Sequence, residues 1–260
     1  MLSKEPRCQY NKNQLADVIC QLRFPEILTI NANLPVAFQE EIRSQFPKFS
    51  TSLEAAAPTI TGTPGNLQIE NQPSTKNYQF TSLDGVWRVN LTSTFISLAC
   101  TQYTRWEDFA KKMDVPLATF IQIYQPACFE RIGLRYLNFI SRQNLGVQEF
   151  QFNELISESY LGILGDPEIN EPAALRSGVD AEVSLPGGCR VKLHAGPGLV
   201  KQNGQQQNEI KFIFDQDLYM TGNIPVNYSA GALETLHSHA YPIFRGAITN
   251  ALHDAMEPIE

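Results

Sequence analysis

The chain has 260 residues, enough for one large domain or two moderate ones. Apolar residues make up 43% and charged residues 18%, which excludes compositional disorder and supplies ample material for a core. Twenty basic residues against 27 acidic ones leave a formal charge of −7, a balance that argues against nucleic acid as a partner.

The opening MLSKEPRCQYNKNQ is polar and lacks the apolar centre of a signal peptide. No run approaches the ~20 apolar residues that a membrane helix needs. Cys8, Cys20, Cys100, Cys128 and Cys189 are scattered and odd in number, so they suit neither a disulfide framework nor a zinc site. The expectation is a cytoplasmic protein with reduced thiols and no membrane association.

LADVICQLRF over 15–24 reads as a buried strand closed by Pro25. Leu34, Phe38, Ile42 and Phe46 then recur every four residues between Pro35 and Pro47, predicting a helix. Residues 50–76, rich in Ser, Thr, Ala, Pro, Gly and Asn, read as a long loop with a short strand around Leu67 to Glu70.

Asp84-Gly85 predicts a hairpin with a type I′ turn, which pairs Phe80 with Val89, Tyr78 with Leu91 and Ser82 with Trp87. A second tight turn at Ser93-Thr94 pairs Leu91 with Ile96, Val89 with Leu98 and Trp87 with Cys100. Alternation then gives one apolar face, with Gln79, Thr81, Arg88, Asn90 and Ser97 on the solvent face.

From Arg105 to Tyr124 the period is helical, with a kink or break predicted at Pro116. CFERIGLRYLNFI over 128–140 is apolar enough on both faces for a central strand. A short amphipathic helix or turn follows over 150–164, then a loop marked by Asp166-Pro167 and Glu171-Pro172. Pro186-Gly187-Gly188 predicts another hairpin that pairs Glu182 with Lys192, Asp180 with His194 and Ser184 with Arg190. A third strand, EIKFIFDQDLY, comes next, and a helical period runs from Gly231 to Met256 with a kink or break at Pro242.

The fold class expected is α+β, with two halves of antiparallel sheet, 1–145 and 146–260, and helices covering one face. The junction is placed near 145–172. A single large curved sheet gripping the long C-terminal helix is the alternative.

Candidate chemistry is sparse. His237, His239 and His253 fall on the last helix without the i, i+4 spacing of a helical zinc site, so packing or exposure is the plainer account. Asp215 and Asp217 share one face of a strand and could hold a divalent metal, though a polar strand end explains them as well. Arg131 and Arg135 flank Gly133, where a glycine lets a ligand or a backbone approach closely, and their planar forks suit an anion. The competing account is a structural ion pair with Glu130 or Asp108. There is no phosphate loop and no nucleophile elbow, and no cofactor is predicted.

Four segments in order, LADVICQLRFP, ERIGLRYLN, FDQDLY and LETLHSHAYPIFRGAITNALHDAM, resemble a sporadically distributed bacterial family of proteins of about this length whose activity is not established. The motifs that carry the resemblance are Arg131-x-Gly133-Leu134-Arg135-Tyr136-x-Asn138, Asp215-x-Asp217, and the close from Ile248 to His253. The chain departs at Cys8-Gln9-Tyr10-Asn11, which replaces a proline-containing lead. The resemblance implies an accessory bacterial protein, scattered among genomes as mobile genes are, and it supplies no chemistry.

The functional expectation is therefore a non-catalytic accessory protein acting with a partner protein or as a homo-oligomer. Two alternatives stand beside it. One is a sensor that holds a small anion with Arg131, Arg135 and Asn138 in a pocket between the sheet and the C-terminal helix. The other is a divalent-metal hydrolase built on Asp215 and Asp217.

Overall fold

The computed structural model describes all residues except 1, 55–58, 64–65, 71–74, 203–204 and 260. In chain order the strands are β1 (Gln9–Tyr10), β2 (Leu15–Arg23), β3 (Lys48–Glu54), β4 (Thr59–Thr63), β5 (Asn66–Glu70), β6 (Thr75–Thr81), β7 (Trp87–Leu91), β8 (Phe95–Cys100), β9 (Phe129–Ile140), β10 (Val179–Ser184), β11 (Arg190–Gln202), β12 (Gln205–Ile224) and β13 (Pro258–Ile259). The helices are α1 (Leu28–Ala32), α2 (Val36–Ile42), α3 (Trp106–Tyr124), α4 (Arg142–Leu145), α5 (Phe152–Leu155), α6 (Ser229–Ala247) and α7 (Asn250–Ala255).

Among the described residues, nine strands form one sheet in the order β10-β11-β12-β9-β2-β8-β7-β6-β3. Each neighbouring pair is antiparallel. The fold is therefore α+β with antiparallel sheet. Residues 1–145 contribute the block from β3 to β9, and residues 146–260 contribute β12, β11 and β10. The expected halves do not hold a sheet each: β9 and β12 pair along their length, from Phe212 opposite Ile140 to Thr221 opposite Arg131, and fuse the blocks. This seam joins segments about 80 residues apart in sequence, beyond the reach of local pattern.

The hairpin registers follow the alternation of apolar residues. Phe80 faces Val89, Leu91 faces Ile96 and Trp87 faces Cys100. Across the β10–β11 turn, Glu182 faces Lys192 and Asp180 faces His194. The Asp84-Gly85 turn differs in type from the prediction. Gly85 has φ +77° whereas Asp84 is not in the positive region, and the Ser82 N–H donates to the Trp87 carbonyl around a four-residue loop. Both loops have an even count and the same centre, so the register is unchanged.

Helices cover one face. Helix α6 packs on β9 and β12, α3 packs on β8, and α2 packs on α3. Phe38, Ile42 and Phe46 are fully buried, while Leu34 precedes the helix and is exposed. Of the kink or break predicted at Pro116 and Pro242, the break does not occur; α3 and α6 run as helix through both prolines. Burial of a whole apolar stripe outweighs the ~3 kcal/mol that one interior proline costs. The C-terminal helix ends instead at Ile248, which is extended and bridges Ile156. Thr249 then caps α7 by accepting a hydrogen bond from the Leu252 N–H. Within the segment expected to be a loop with a short strand around Leu67 to Glu70, that strand is present as β5 and pairs with β4, while β3, read as part of the loop from residue 50, pairs with β6. No helix among the described residues is long and apolar enough to cross a membrane.

Leu134 is fully buried at the centre of β9, between β2 and β12. Leu134→Ala is expected to lower the unfolding free energy by about 2–5 kcal/mol in urea titration, in one transition.

Candidate functional site

Strands β9 and β12 present two different chemistries on their two faces. The outward file of β9 carries Arg131, Gly133 and Arg135, and that of β12 carries Asp215, Asp217 and Tyr219. Asp217 takes both its oxygens to Nη2 of Arg131 at 2.7 Å. Asp215 accepts from Nε of Arg135 at 2.8 Å and from its Nη2 at 2.5 Å. The acids that neutralise the two arginines are thus Asp217 and Asp215, not Glu130 or Asp108; Asp108 pairs with Arg105 at 2.8 Å.

Gly133 explains how Arg131 reaches so far. The Arg131 side chain runs forward along its own strand, and a Cβ on Gly133 would collide with its guanidinium. The same guanidinium lies 4.8 Å from the centre of the Tyr219 ring. The close approach that the glycine permits is made by the protein's own arginine.

This open face continues as a ladder in which the sign of charge alternates by strand. Asp180 and Glu182 stand on β10, Lys192 and His194 on β11, Asp215 and Asp217 on β12, and Arg131 and Arg135 on β9. Asp180 meets His194 at 2.7 Å, and Glu182 accepts from the Tyr219 hydroxyl. On β2, Asp17 extends the ladder; burial raises its carboxyl above the usual range, against the pull of Arg88 and Arg135. Among the described residues no group of three or more His, Cys, Asp or Glu side chains is placed to hold a metal ion.

The inward face is different. By strand parity Asn138 points away from Arg131 and Arg135, and it lines a cavity of about 90 Å³ between the sheet and α6. Tyr136 and Asn138 from β9 and Gln216 from β12 form the floor. His237, Tyr241 and Phe244 from α6 form the roof, and Tyr103 closes one side. The N-terminal arm supplies the stopper, with Arg7, Cys8 and Tyr10 against the cavity.

The arm is pinned at several points. Glu5 pairs with the buried Arg245 at 2.6 Å, and the Ser3 N–H donates to the Pro242 carbonyl at 2.9 Å. Strand β1 pairs with β13, and Lys12 pairs with Glu257 at 2.8 Å. Arg7 reaches Glu107 at 3.3 Å at the rim.

Polar groups around the cavity are held neutral. Burial lowers His237 from 6.5 to about 4, with the Arg7 charge acting in the same direction. Burial also raises the Tyr136 phenol well above its ordinary value and pushes Tyr103 and Tyr241 up to about 12. The Tyr136 hydroxyl and His237 Nδ1, both held neutral, share a hydrogen bond at 2.9 Å. Trp106 stacks on that ring with centroids 4.6 Å apart and planes 10° from parallel. Gln216 is 2% exposed, and its buried Oε1 has no hydrogen-bond partner among the described residues.

Sequence reasoning placed Asn138 with the two arginines, read His237 as a packed or exposed helix histidine, and passed over Gln216 and the arm. Two of these carried a signal. Gln216 interrupts the apolar file Phe212, Phe214, Leu218 and Met220, and His237 sits within the apolar stripe of its helix. Cys8 meets the Tyr241 hydroxyl at 3.3 Å, but a phenol held protonated is no base for a thiol, so the set suits binding rather than nucleophilic attack.

Three outcomes test this geometry. A double-mutant cycle between Gly133→Ala and Asp217→Ala is expected to give a coupling of about 0.5–1 kcal/mol in urea unfolding, because the added methyl displaces Arg131 from Asp217. Millimolar Mg²⁺ is expected to leave the thermal midpoint unchanged, since both strand carboxylates already hold arginines; saturable binding lost in Asp215→Asn would restore a metal reading. His237 has a folded pKa near 4 against 6.5 unfolded, so the unfolded chain takes up the extra proton between those values. Stability should therefore fall as pH drops through that window, by up to about 3 kcal/mol, and His237→Gln should flatten that part of the profile.

Comparison with protein-family models finds no match, and comparison with curated proteins finds none either, so the reading of this site rests on its geometry.

Proposed function

We propose that the protein is a non-catalytic binding protein that holds a small molecule between the sheet and α6 and acts as an accessory to a partner protein. One observation carries the reading: Gln216, whose buried Oε1 has no hydrogen-bond partner among the described residues, lines a cavity that is otherwise rich in aromatic rings. Burying an acceptor unpaired costs about 1–3 kcal/mol, so a fold that keeps one beside an empty space is suited to a ligand that supplies the donor. The anion-sensor version, with Arg131 and Arg135 as the clamp, is not favoured, because those arginines lie across the sheet from the cavity and are occupied by Asp217 and Asp215.

The resemblance to a sporadically distributed bacterial family bears on this reading. Cys8-Gln9-Tyr10-Asn11, where the chain departs from that family's lead, includes three residues that line the cavity. A change there would alter which ligand is held while leaving the sheet intact.

Docking of a partner protein is favoured by a separate observation, the open face with its alternating acidic and basic strands. Lys192 and His194 are more than half exposed there, in position to meet acidic groups on a partner. Native mass spectrometry of the protein from its own host tests both readings. A small-mass adduct that is absent from Ala240→Met, whose longer side chain fills the cavity, is the result expected. A bare chain, or an adduct retained by the filled variant, contradicts the cavity reading. A protein at fixed stoichiometry, lost in Lys192→Glu, supports the partner.

A further inference from the structure

We propose that two copies of the chain join through the free edge of β3, antiparallel and two-fold about Thr51, so that one nine-stranded sheet runs on into the other. The inference concerns the rim of the sheet and is independent of the cavity reading.

Backbone bonding shows what that edge offers. Among the described residues β3 closes the sheet, with β6 on one side and no strand on the other. The Ser82 N–H donates to the Trp87 carbonyl, in the register that pairs β6 with β7. Strand residues turn their N–H and C=O to alternate sides, so Thr81 and Gln79 turn theirs toward β3. Lys48 and Ser50 stand opposite them and bond inward, as does Ser52 by the same alternation. Phe49, Thr51 and Leu53 are left with N–H and C=O groups aimed past the edge, the template to which another strand adds.

The order of residues makes a second copy the matching strand. KFSTSLE is chemically symmetric about Thr51. Antiparallel pairing centred there sets Thr51 against its own counterpart, Ser50 against Ser52, Phe49 against Leu53 and Lys48 against Glu54 of the second copy. The outward-bonding residues then meet one another, as hydrogen-bonded pairs require. Apolar residues meet on the helix-covered side and opposite charges meet on the open side, both favourable cross-strand pairs. Lys48 Nζ donates to the Leu83 carbonyl, which leaves two of its three protons for a carboxylate. The other edge of the sheet lacks this symmetry. Self-pairing of β10 about Ala181 would set Asp180 against Glu182, a like-charge contact that keeps copies apart.

An apolar surface adjoins the same edge. Leu53 is 68% exposed, and Phe49 stays half-exposed although its ring lies 5.3 Å from that of Phe80. Exposed Leu34 and Val36 border, with Phe49, a hollow of about 200 Å³. Pairing about Thr51 brings Leu53 of the second copy beside Phe49, at that hollow, and removes apolar area from water on both chains.

Sedimentation velocity of the full chain over a range of concentrations tests the proposal. The wild type is expected to form a dimer, and Leu53→Lys to raise its dissociation constant about tenfold or more, because the exposed site is met twice in a two-fold contact. Thr51→Pro removes an outward N–H and none that bonds β6, so it should abolish the dimer while the circular dichroism of the monomer is kept. Lys48→Glu and Glu54→Lys should each weaken the dimer, and the double variant should restore it. A wild type that stays monomeric up to about 100 µM overturns the proposal. A dimer that Thr51→Pro and Leu53→Lys leave at wild-type strength overturns it equally, since the contact then lies on another surface.

Discussion

The pairing of β9 with β12 is the constraint on which the rest depends. It joins the six-strand block from the first part of the chain to the three-strand block from the second. Its register also decides what each face does. With Asp217 opposite Arg135 and Gln216 opposite Tyr136, the charged files meet outside and the cavity floor forms inside. A slip of one residue would turn Asp215 and Asp217 toward the helices and Phe214 toward solvent, so side-chain burial and ion pairing enforce the same alignment.

The two faces of that seam are chemically opposite. Outside, acidic and basic strands alternate, and each pair adds at most ~1 kcal/mol of sheet stability. Gly133 belongs to this arrangement, since only a residue without a Cβ lets Arg131 lie flat across it to Asp217. Inside, an amide oxygen without a partner among the described residues reduces stability, and a buried histidine does so as pH falls below 6.5, in a region where apolar side chains would pack with none of that cost. Departures of this kind from core packing are what a binding site looks like in a scaffold that is otherwise well filled. The N-terminal arm completes the enclosure through Arg7, Cys8 and Tyr10, held to the C-terminal end by the short β1–β13 pair.

Much of the local structure is legible in the sequence. The alternation in β6, β7 and β8 fixes three strands and their registers, because a face of Phe80, Val89, Leu91 and Leu98 has one consistent way to be buried. The opposite-sign pairs between β10 and β11 follow by the same argument. What stays hidden has physical reasons. Strand β3 reads as loop, since its polar stretch is held by pairing with β6 and not by its own pattern. The prolines at 116 and 242 look like breaks because local rules do not weigh the tertiary burial of α3 and α6. The shared sheet arises from long-range pairing between two strands that each read correctly alone. In the candidate site, Arg131, Arg135, Asp215 and Asp217 stand out by composition, yet they satisfy one another. Gln216 and His237 were visible only as polar residues on apolar files, and the arm has no periodicity to read.

Native-state hydrogen exchange, followed residue by residue in rising urea, tests the role of the β9–β12 seam most directly. The amides of Leu134, Tyr136, Phe214 and Gln216 should share the slowest rates and open only with global unfolding, together with those of β2 and β8. If β10, β11 and β12 instead exchanged through a separate opening of lower free energy while β2, β8 and β9 stayed protected, the two blocks would be independent units. The cavity floor would then not be the fixed surface described.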